Sequence, residues 1–215
     1  YYIVIVYMCY SARASLGSFM ISLVGFLFLY NRNHKSDRLF GTIILGISIM
    51  QIGEFLMHKD LECKSGLNKL GSTIGLLSHS IIQPLFSLIA VFLFSTSKLS
   101  KEVKTAWVIL FIANMMWSFY YWPTQKDLCS YMYECKNKAL GCQLYWPWYS
   151  SVNVPLYGLL VYVIPILFSD LANKLLWLIY AGLGPMILTI LYPKTSNSVW
   201  CFLGPALTIF VKILN

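Results

Sequence analysis

Seven long apolar runs occupy most of this 215-residue chain and limit its possible folds more than any other feature. An apolar run of ~20 residues has the length that a helix needs to cross a bilayer. Hydrophobic residues make up 58% of the chain and charged residues 11%, whereas soluble domains average about 45–50% and about 25%. The sequence therefore predicts an all-α, polytopic integral membrane protein, built as one seven-transmembrane-helix bundle. The predicted helices are 11–30, 38–57, 70–94, 102–122, 150–168, 174–192 and 198–214.

The positions of the charged residues predict how these helices cross the membrane. The net charge is +8, but the 16 Lys and Arg residues lie in the links between runs. They do not form one basic face, so nucleic acid is not an expected partner. They divide equally between the two sides, and the short basic links 31–38 and 95–104 favour their own side as cytoplasmic. We therefore expect an exoplasmic or lumenal N-terminus and a cytoplasmic C-terminus, with the lipid bilayer as the main partner.

The cysteines favour the same orientation. All six fall on or near the side opposite the basic links, and disulfides persist only in oxidising compartments. Six cysteines can pair in many ways, and the sequence does not choose among them. Buried free thiols are the alternative. The disulfide candidates are Cys9, Cys63, Cys129, Cys135, Cys142 and Cys201.

The longest link, 123–149, is predicted to be an exoplasmic loop rich in cysteine and aromatic residues. It ends in the sequence Leu-Tyr-Trp-Pro-Trp-Tyr at positions 144–149. Trp and Tyr rings favour the membrane–water interface, so this stretch can be an aromatic belt. It can also be a disulfide-stapled lid over a cavity that opens on the exoplasmic side, and the two interpretations are compatible.

The third predicted helix carries polar groups at mid-length. His79 and Gln83 are four residues apart and therefore share one helix face. Pro84 donates no backbone hydrogen bond, and its ring clashes with the carbonyl of Ser80, so that carbonyl is freed beside the two side chains. In hydrocarbon such groups must be satisfied within the protein. This helix is therefore predicted to form the inward-facing wall of a polar pocket.

Neighbouring helices supply further polar candidates. Gln51 and Glu54 lie on one stripe of the second predicted helix, which also carries His58, and we expect Gln51 and Glu54 to face His79 and Gln83. Such a cluster is either a functional pocket or an interhelical hydrogen-bond clamp; for Glu54 a structural or solvated role is favoured. Asn114, Trp117 and Asn153 are predicted to complete the lining.

Several short motifs resemble an uncharacterised family of small polytopic membrane proteins, found in bacteria and large DNA viruses. Residues 8–15 read Met-Cys-Tyr-Ser-Ala-Arg-Ala-Ser and match that family's opening pattern, Met-Cys-x-Ser-x-x-Ala-Ser. Asn68-Lys69 followed by His79-x-x-x-Gln83-Pro84 is similar to its third helix. Cys63, Gly184-Pro185 and the segment 198–201 also fit.

The resemblance implies a polytopic topology and a natural start at Met8, but no activity, because the family's function is unknown. The chain departs from the pattern in two places. It has Gln51 before Glu54 where the family has Glu before Gln. It also has Gln143 and Trp146 where the family has His-x-x-Trp, so no histidine of that loop is carried over.

The leading functional hypothesis is a non-enzymatic protein that binds or passes a small solute or a proton. His79 would titrate, since the unperturbed pKa of imidazole is ~6.5, and Gln51, Glu54 and Gln83 would orient it. No catalytic motif is present, so no catalytic residue, metal site or cofactor is predicted. One alternative is an intramembrane hydrolase, possibly metal-dependent through His58, His79 and Glu54. Another is a structural membrane or envelope subunit.

Overall fold

Four long helices dominate the structure. The computed structural model describes residues 11–122, 128–132 and 144–168, together with Leu175, Leu178, Ile187, Ile190 and Lys212. Four described helices are long and apolar enough to cross a membrane, which confirms the helical class and the bounds of four predicted helices, each within three residues of its predicted ends. They are α1 (Ala12–Asn31), α2 (Lys35–Lys59), α3 (Leu67–Phe94) and α4 (Lys101–Tyr121).

A compact segment follows α4 before the next helix begins. Strands β1 (Tyr131–Met132) and β2 (Leu144–Tyr145) pair antiparallel, and a 3₁₀ turn follows at Pro147–Ser151. Helix α5 then covers residues 154–167, in the segments Val154–Gly158, Leu159–Val163 and Ile164–Leu167. The predicted helices 174–192 and 198–214 lie outside the described residues, apart from five helical positions.

Local sequence explains where the helices begin. Ser11 caps α1, because its hydroxyl accepts a hydrogen bond from the amide of Ala14 at 3.2 Å. Ser100 caps α4 by accepting from the amide of Val103 at 3.3 Å. Both bonds satisfy a backbone donor that the first helical turn leaves free. Gly66 precedes α3 with a φ of +85°, a conformation that costs glycine little.

Helix α1 is arranged with its small side chains inward and its large apolar side chains outward. Ser15, Ser18, Ser22 and Gly25 form the buried stripe, together with Leu29. Large apolar side chains of α1 are 44–61% exposed, namely Leu16, Met20, Ile21, Val24, Leu27 and Phe28. Helix α4 also has most of its large apolar side chains outward, since Trp107, Asn114 and Ser118 are its only buried residues. Small and polar residues at helix contacts are typical of membrane bundles.

Helices α2 and α3 make the closest contact in the described part of the chain. A Cβ added to Gly71 would collide with the carbonyl oxygen of Gly53 and the amide of Met57. A Cβ added to Gly75 would lie 2.6 Å from the ring of Trp148. The Gly71-x-x-x-Gly75 pattern therefore lets two helix backbones and one indole approach each other.

An ion-pair cluster joins the α1–α2 link to the last described residue. The carboxylate of Asp37, which is 4% exposed, contacts Arg32 Nε at 3.2 Å and Lys212 Nζ at 3.0 Å. Lys212 therefore lies at the end of the bundle where α1 finishes, whereas Ser11 lies at the other end of α1.

Candidate functional site

The candidate site is centred on a wide turn in the middle of α3. Residues Ser78–Ile82 form a π-helical segment, and such segments frequently mark functional positions in helices. Pro84 follows directly, and the carbonyl that it frees is used: Asn114 of α4 donates its Nδ2 to the oxygen of Ser80 at 2.7 Å. The exposed backbone of α3 is thus held by a side chain from a neighbouring helix.

The imidazole of His79 has one defined hydrogen bond. Its Nδ1 lies 3.0 Å from the carbonyl oxygen of Gly75. A carbonyl only accepts, so Nδ1 carries a proton and Nε2 is the acceptor of the neutral ring. His79 is 2% exposed, so this acceptor is presented inside the protein.

Four aromatic rings surround His79. Their centroids lie 5.6 Å (Trp146), 5.7 Å (Trp148), 5.3 Å (Tyr149) and 5.3 Å (Tyr157) from that of the imidazole. Trp146 and Trp148 are only 5% and 0% exposed. They therefore do not form an interfacial belt but cover α3, as the lid interpretation of segment 144–149 proposed.

Gln83 links α3 to α5. Its Nε2 donates to Ser78 Oγ at 3.0 Å, and its Oε1 accepts from the hydroxyl of Tyr157. The Tyr157 hydroxyl also lies 3.3 Å from that of Tyr162. Gln83 and Tyr157 thus begin a chain of hydroxyl and amide groups beside the imidazole of His79.

Several buried polar atoms around this segment lack a hydrogen-bond partner among the described residues. At this segment they are the hydroxyl of Ser80, the Oδ1 of Asn114 and the Nε1 of Trp146, and both amide atoms of Gln51 on α2 also lack such a partner. An unpaired buried polar atom costs about 1–3 kcal/mol. Such atoms call for an explanation, and a bound molecule is one. The set includes donors and acceptors, so it suits a small molecule that offers both.

The other predicted site residues lie in different surroundings. Gln51 is fully buried, but neither it nor Gln83 is hydrogen-bonded to His79 within the described residues. Glu54 is 2% exposed, which excludes the solvated position favoured for it above.

Two predicted lining residues do not line the site. Trp117 is 42% exposed, and its ring lies tilted against that of Tyr121, with the centroids 4.6 Å apart. Asn114 and Ser118 already occupy the inward side, so the rotation between successive residues carries Trp117 away from it. Asn153 instead caps α5, because its Oδ1 accepts from the amide of Leu156 at 3.1 Å.

No three His, Cys, Asp or Glu side chains come together as a possible metal site anywhere in the described ranges. The candidate set of His58, Glu54 and His79 is therefore not brought together there.

A second polar cluster lies at the start of α3, beside a disulfide bond. Cys63 and Cys129 are bonded, which confirms one pair of the predicted candidates; Cys9, Cys135, Cys142 and Cys201 lie outside the described residues. Next to the bond, Asn68 donates to the carbonyl oxygens of Ser130 (2.7 Å) and Met57 (3.3 Å). It accepts from the amide of Ser130 at 2.8 Å.

This second cluster is further connected through hydroxyl groups. The hydroxyls of Ser72 and Ser130 lie 2.9 Å apart, and Trp148 Nε1 donates to Ser130 Oγ at 3.2 Å. Ser130 thus joins the α2–α3 contact to the same aromatic segment that covers His79. Every polar side-chain atom of this network that the structure describes as buried has a partner.

The loop between α2 and α3 is organised by Asp60. Burial disfavours its charge, but hydrogen bonds from the amides of Ser65, Asn68 and Lys64 outweigh burial. They lower the pKa of Asp60 from 3.8 to about 2. The carboxylate therefore acts as a cap for the start of α3, and its amide partners are 2.9–3.3 Å away.

Sequence reasoning assigned no place in a hydrogen-bond network to Asn68 or Ser130. Asn68 stood in a motif of the resembling family, and the Gly71-x-x-x-Gly75 pattern indicates a close helix contact. No sequence signal pairs Ser130 with Asn68, because 62 positions separate them.

Comparison with known proteins found no matching family model, no matching curated protein and no matching solved structure. The resemblance described above therefore stays a prediction, and the function must be argued from the site.

Proposed function

We propose that this chain is a multi-pass integral membrane protein that binds or passes a small polar solute or a proton. The proposed site lies at the π-helical segment of α3, under the aromatic segment 144–149. The observation that carries the proposal is the group of unpaired buried polar atoms around His79.

Membrane insertion is supported by the inverted arrangement of α1 and α4. In water, the exposed apolar faces of these helices would be unfavourable by about 25 cal/mol for each Å². In a bilayer the same faces contact lipid, and the serine and asparagine side chains find partners between helices.

The proposed topology has seven helices, an exoplasmic or lumenal N-terminus and a cytoplasmic C-terminus. It is supported by the opposite placement of Ser11 and Lys212, since a chain that crosses an odd number of times ends on the other side. Labelling of single cysteines placed at Asn33 and Ser65 with a membrane-impermeant reagent tests it. Only the Ser65 position should be labelled from outside, and the reverse result would invert the topology.

The chemistry of the site favours a solute with both a donor and an acceptor. His79 Nε2 and Asn114 Oδ1 can accept hydrogen bonds, Trp146 Nε1 can donate one, and Ser80 Oγ can do either. Aromatic rings around the imidazole supply apolar walls, which is the usual composition of a small-molecule site. The imidazole also carries an exchangeable proton on Nδ1.

Flux measurements in proteoliposomes test the proposal. The purified protein should pass protons, or a small amide or polyol, across the vesicle membrane, and His79→Gln should abolish the pH dependence of that flux. His34→Gln is the matched control, because His34 is exposed at the start of α2. Flux that is unchanged in His79→Gln would overturn the proposal.

A purely structural role for the cluster is the competing interpretation, since Asn114 and Gln83 also clamp α3 to its neighbours. Equilibrium binding separates the two. A structural clamp predicts no saturable solute binding by the wild-type protein. A binding site predicts saturable binding that Ser80→Ala weakens without a loss of stability, because the substituted hydroxyl has no partner among the described residues.

A further inference from the structure

A basic cleft lies at the opposite end of α3 from the disulfide. It has a volume of about 510 Å³ and is formed where α3 ends, α4 begins and α2 begins. Lys35, Lys98 and Lys104 line it from these three places, with the hydroxyl residues Ser95, Thr96 and Ser97. The remaining lining residues are Phe92, Leu93 and Leu99.

The charge of this cleft is unbalanced within its own lining. Three lysines line it, and no Asp or Glu is among the described residues of its lining. Asp37, the nearest acid on α2, is engaged with Arg32 and Lys212. Like charges brought together around a cavity repel each other unless an anion enters, so the cleft is suited to a negatively charged group.

The other groups in the cleft match a phosphate ester. Hydroxyl side chains donate to phosphate oxygens, and lysine binds phosphate as a point charge. The volume exceeds that of a single water many times over, so a phosphate can enter with the polar group that it esterifies. Lys104 also lies over the ring of Phe92, with Nζ 5.9 Å from the centroid, which places one ammonium above the apolar wall.

The apolar side of the cleft indicates the source of that phosphate. Leu93 is 64% exposed and belongs to both the cleft and the outer surface of α3. A soluble phosphate would leave this apolar surface unused, whereas a phospholipid would place its acyl chain along it. Basic pockets between membrane helices on the cytoplasmic side bind anionic head groups in this way.

We propose that this cleft binds the head group of an anionic phospholipid, with its acyl chain passing Leu93. The proposal rests on the membrane placement proposed above but not on solute binding at His79. The cleft lies on the side of the short basic links, which is the side expected to face the cytoplasm.

Lipid retention in nanodiscs tests the proposal. The full chain is assembled in phosphatidylcholine with a small fraction of phosphatidic acid or phosphatidylglycerol, and the co-purifying anionic lipid is measured by native mass spectrometry. Wild type should retain bound anionic lipid. Lys98→Gln and Lys104→Gln should each weaken it roughly fivefold, which is the effect of one basic residue near an anionic lipid surface.

Lys101→Gln is the matched control, because Lys101 is an exposed lysine between the two variants in sequence and is not part of the lining. It removes the same charge and should leave retention unchanged. Equal losses in Lys101→Gln and Lys98→Gln would overturn the proposal, since the attraction would then be general to the basic surface.

The source of the phosphate is tested by competition. Inorganic phosphate and glycerol phosphate should not displace the lipid at millimolar concentration, because they lack the acyl chain that contacts Leu93. Displacement at that concentration would overturn the lipid assignment. Leu93→Ser should reduce retention of lipid while leaving any binding of free phosphate unchanged; equal retention would also count against the proposal.

Failure of this proposal can be told apart from failure of membrane insertion. Protein that floats with liposomes in a density gradient but retains no anionic lipid contradicts only the head-group site. Protein that does not float contradicts the membrane placement as well. The variants are at exposed positions, and retention of the Cys63–Cys129 bond in each one confirms that it has folded.

Discussion

Two buried polar clusters lie on the same helix, and they differ in how completely their hydrogen bonds are made. At the start of α3, the side chain of Asn68 makes hydrogen bonds from both its oxygen and its nitrogen. At mid-helix, Asn114 uses its nitrogen on Ser80 but leaves its oxygen without a partner among the described residues. A saturated cluster is expected to hold the fold together, whereas an unsaturated one retains the capacity to bind something else.

Breaking the disulfide should have the largest effect on the saturated cluster. Cys63 and Cys129 are 66 positions apart, and closing a loop of that length stabilises a chain by about 4 kcal/mol in the chain-entropy account. Cys63→Ser with Cys129→Ser should lower the free energy of unfolding by about that amount, measured by denaturant titration in detergent. No change in the unfolding midpoint on reduction of the wild type would contradict the bond's structural role.

Asn68→Ala should follow, with a loss of about 3 kcal/mol or more, because it leaves the amide and carbonyl of Ser130 unpaired in a buried place. Unfolding by denaturant measures the loss. Thr73→Ala is the control on the same helix, because the half-buried Thr73 bonds to the carbonyl of Lys69 in its own helix, and it should change stability by less than about 0.5 kcal/mol. Similar values for the two variants would show that the network contributes little.

Asn114→Ala sharpens the comparison. It leaves one buried group unpaired, the carbonyl of Ser80, so we expect a loss of about 1–3 kcal/mol in stability, smaller than that of Asn68→Ala, which leaves two. Solute binding measured by calorimetry should nevertheless be lost, because the unpaired oxygen of Asn114 belongs to the proposed site. If Asn114→Ala and Asn68→Ala cost the same and neither affects binding, the two clusters do not differ in kind.

The pH dependence of stability gives the smallest expected effect. The pKa of Asp60 is lowered from 3.8 to about 2 in the folded protein. The folded protein therefore binds the carboxyl proton more weakly than the unfolded chain does. The stabilisation that the ionised Asp60 carboxylate gives to the fold is therefore complete above pH ~4 and is lost as the pH falls through about 2. Melting temperatures of wild type and Asp60→Asn should converge across that interval, and a constant difference would contradict the shift.

The sequence predicted the positions of α1 to α4 closely because each is a long apolar run bounded by polar or charged links. It also predicted that Pro84 frees the carbonyl of Ser80, since a proline acts on the residue four positions before it. The partner of that carbonyl, Asn114, is 34 positions away. The choice of partner depends on how the two helices are rotated against each other. Sequence periodicity does not fix that rotation for a helix with few polar residues on one face.

The same limit explains the misplaced lining residues. Asn114, Trp117 and Ser118 are close enough in sequence to seem to share a face, but a small rotation of α4 divides them. Asn153 caps its own helix, since a side chain at the start of a helix can satisfy a backbone amide without contacting any other element.

The amino-acid sequence alone dictates that this chain is helical, that its helices have membrane-spanning length, and that polar groups interrupt the third of them. These properties follow from local composition, spacing and proline chemistry. Tertiary structure alone decides that the Trp146–Trp148 region covers His79, that Ser130 completes the bonds of Asn68, and that three lysines from separate elements meet in one cleft. Each of these depends on contacts between segments that are distant in sequence, which local composition and spacing do not determine.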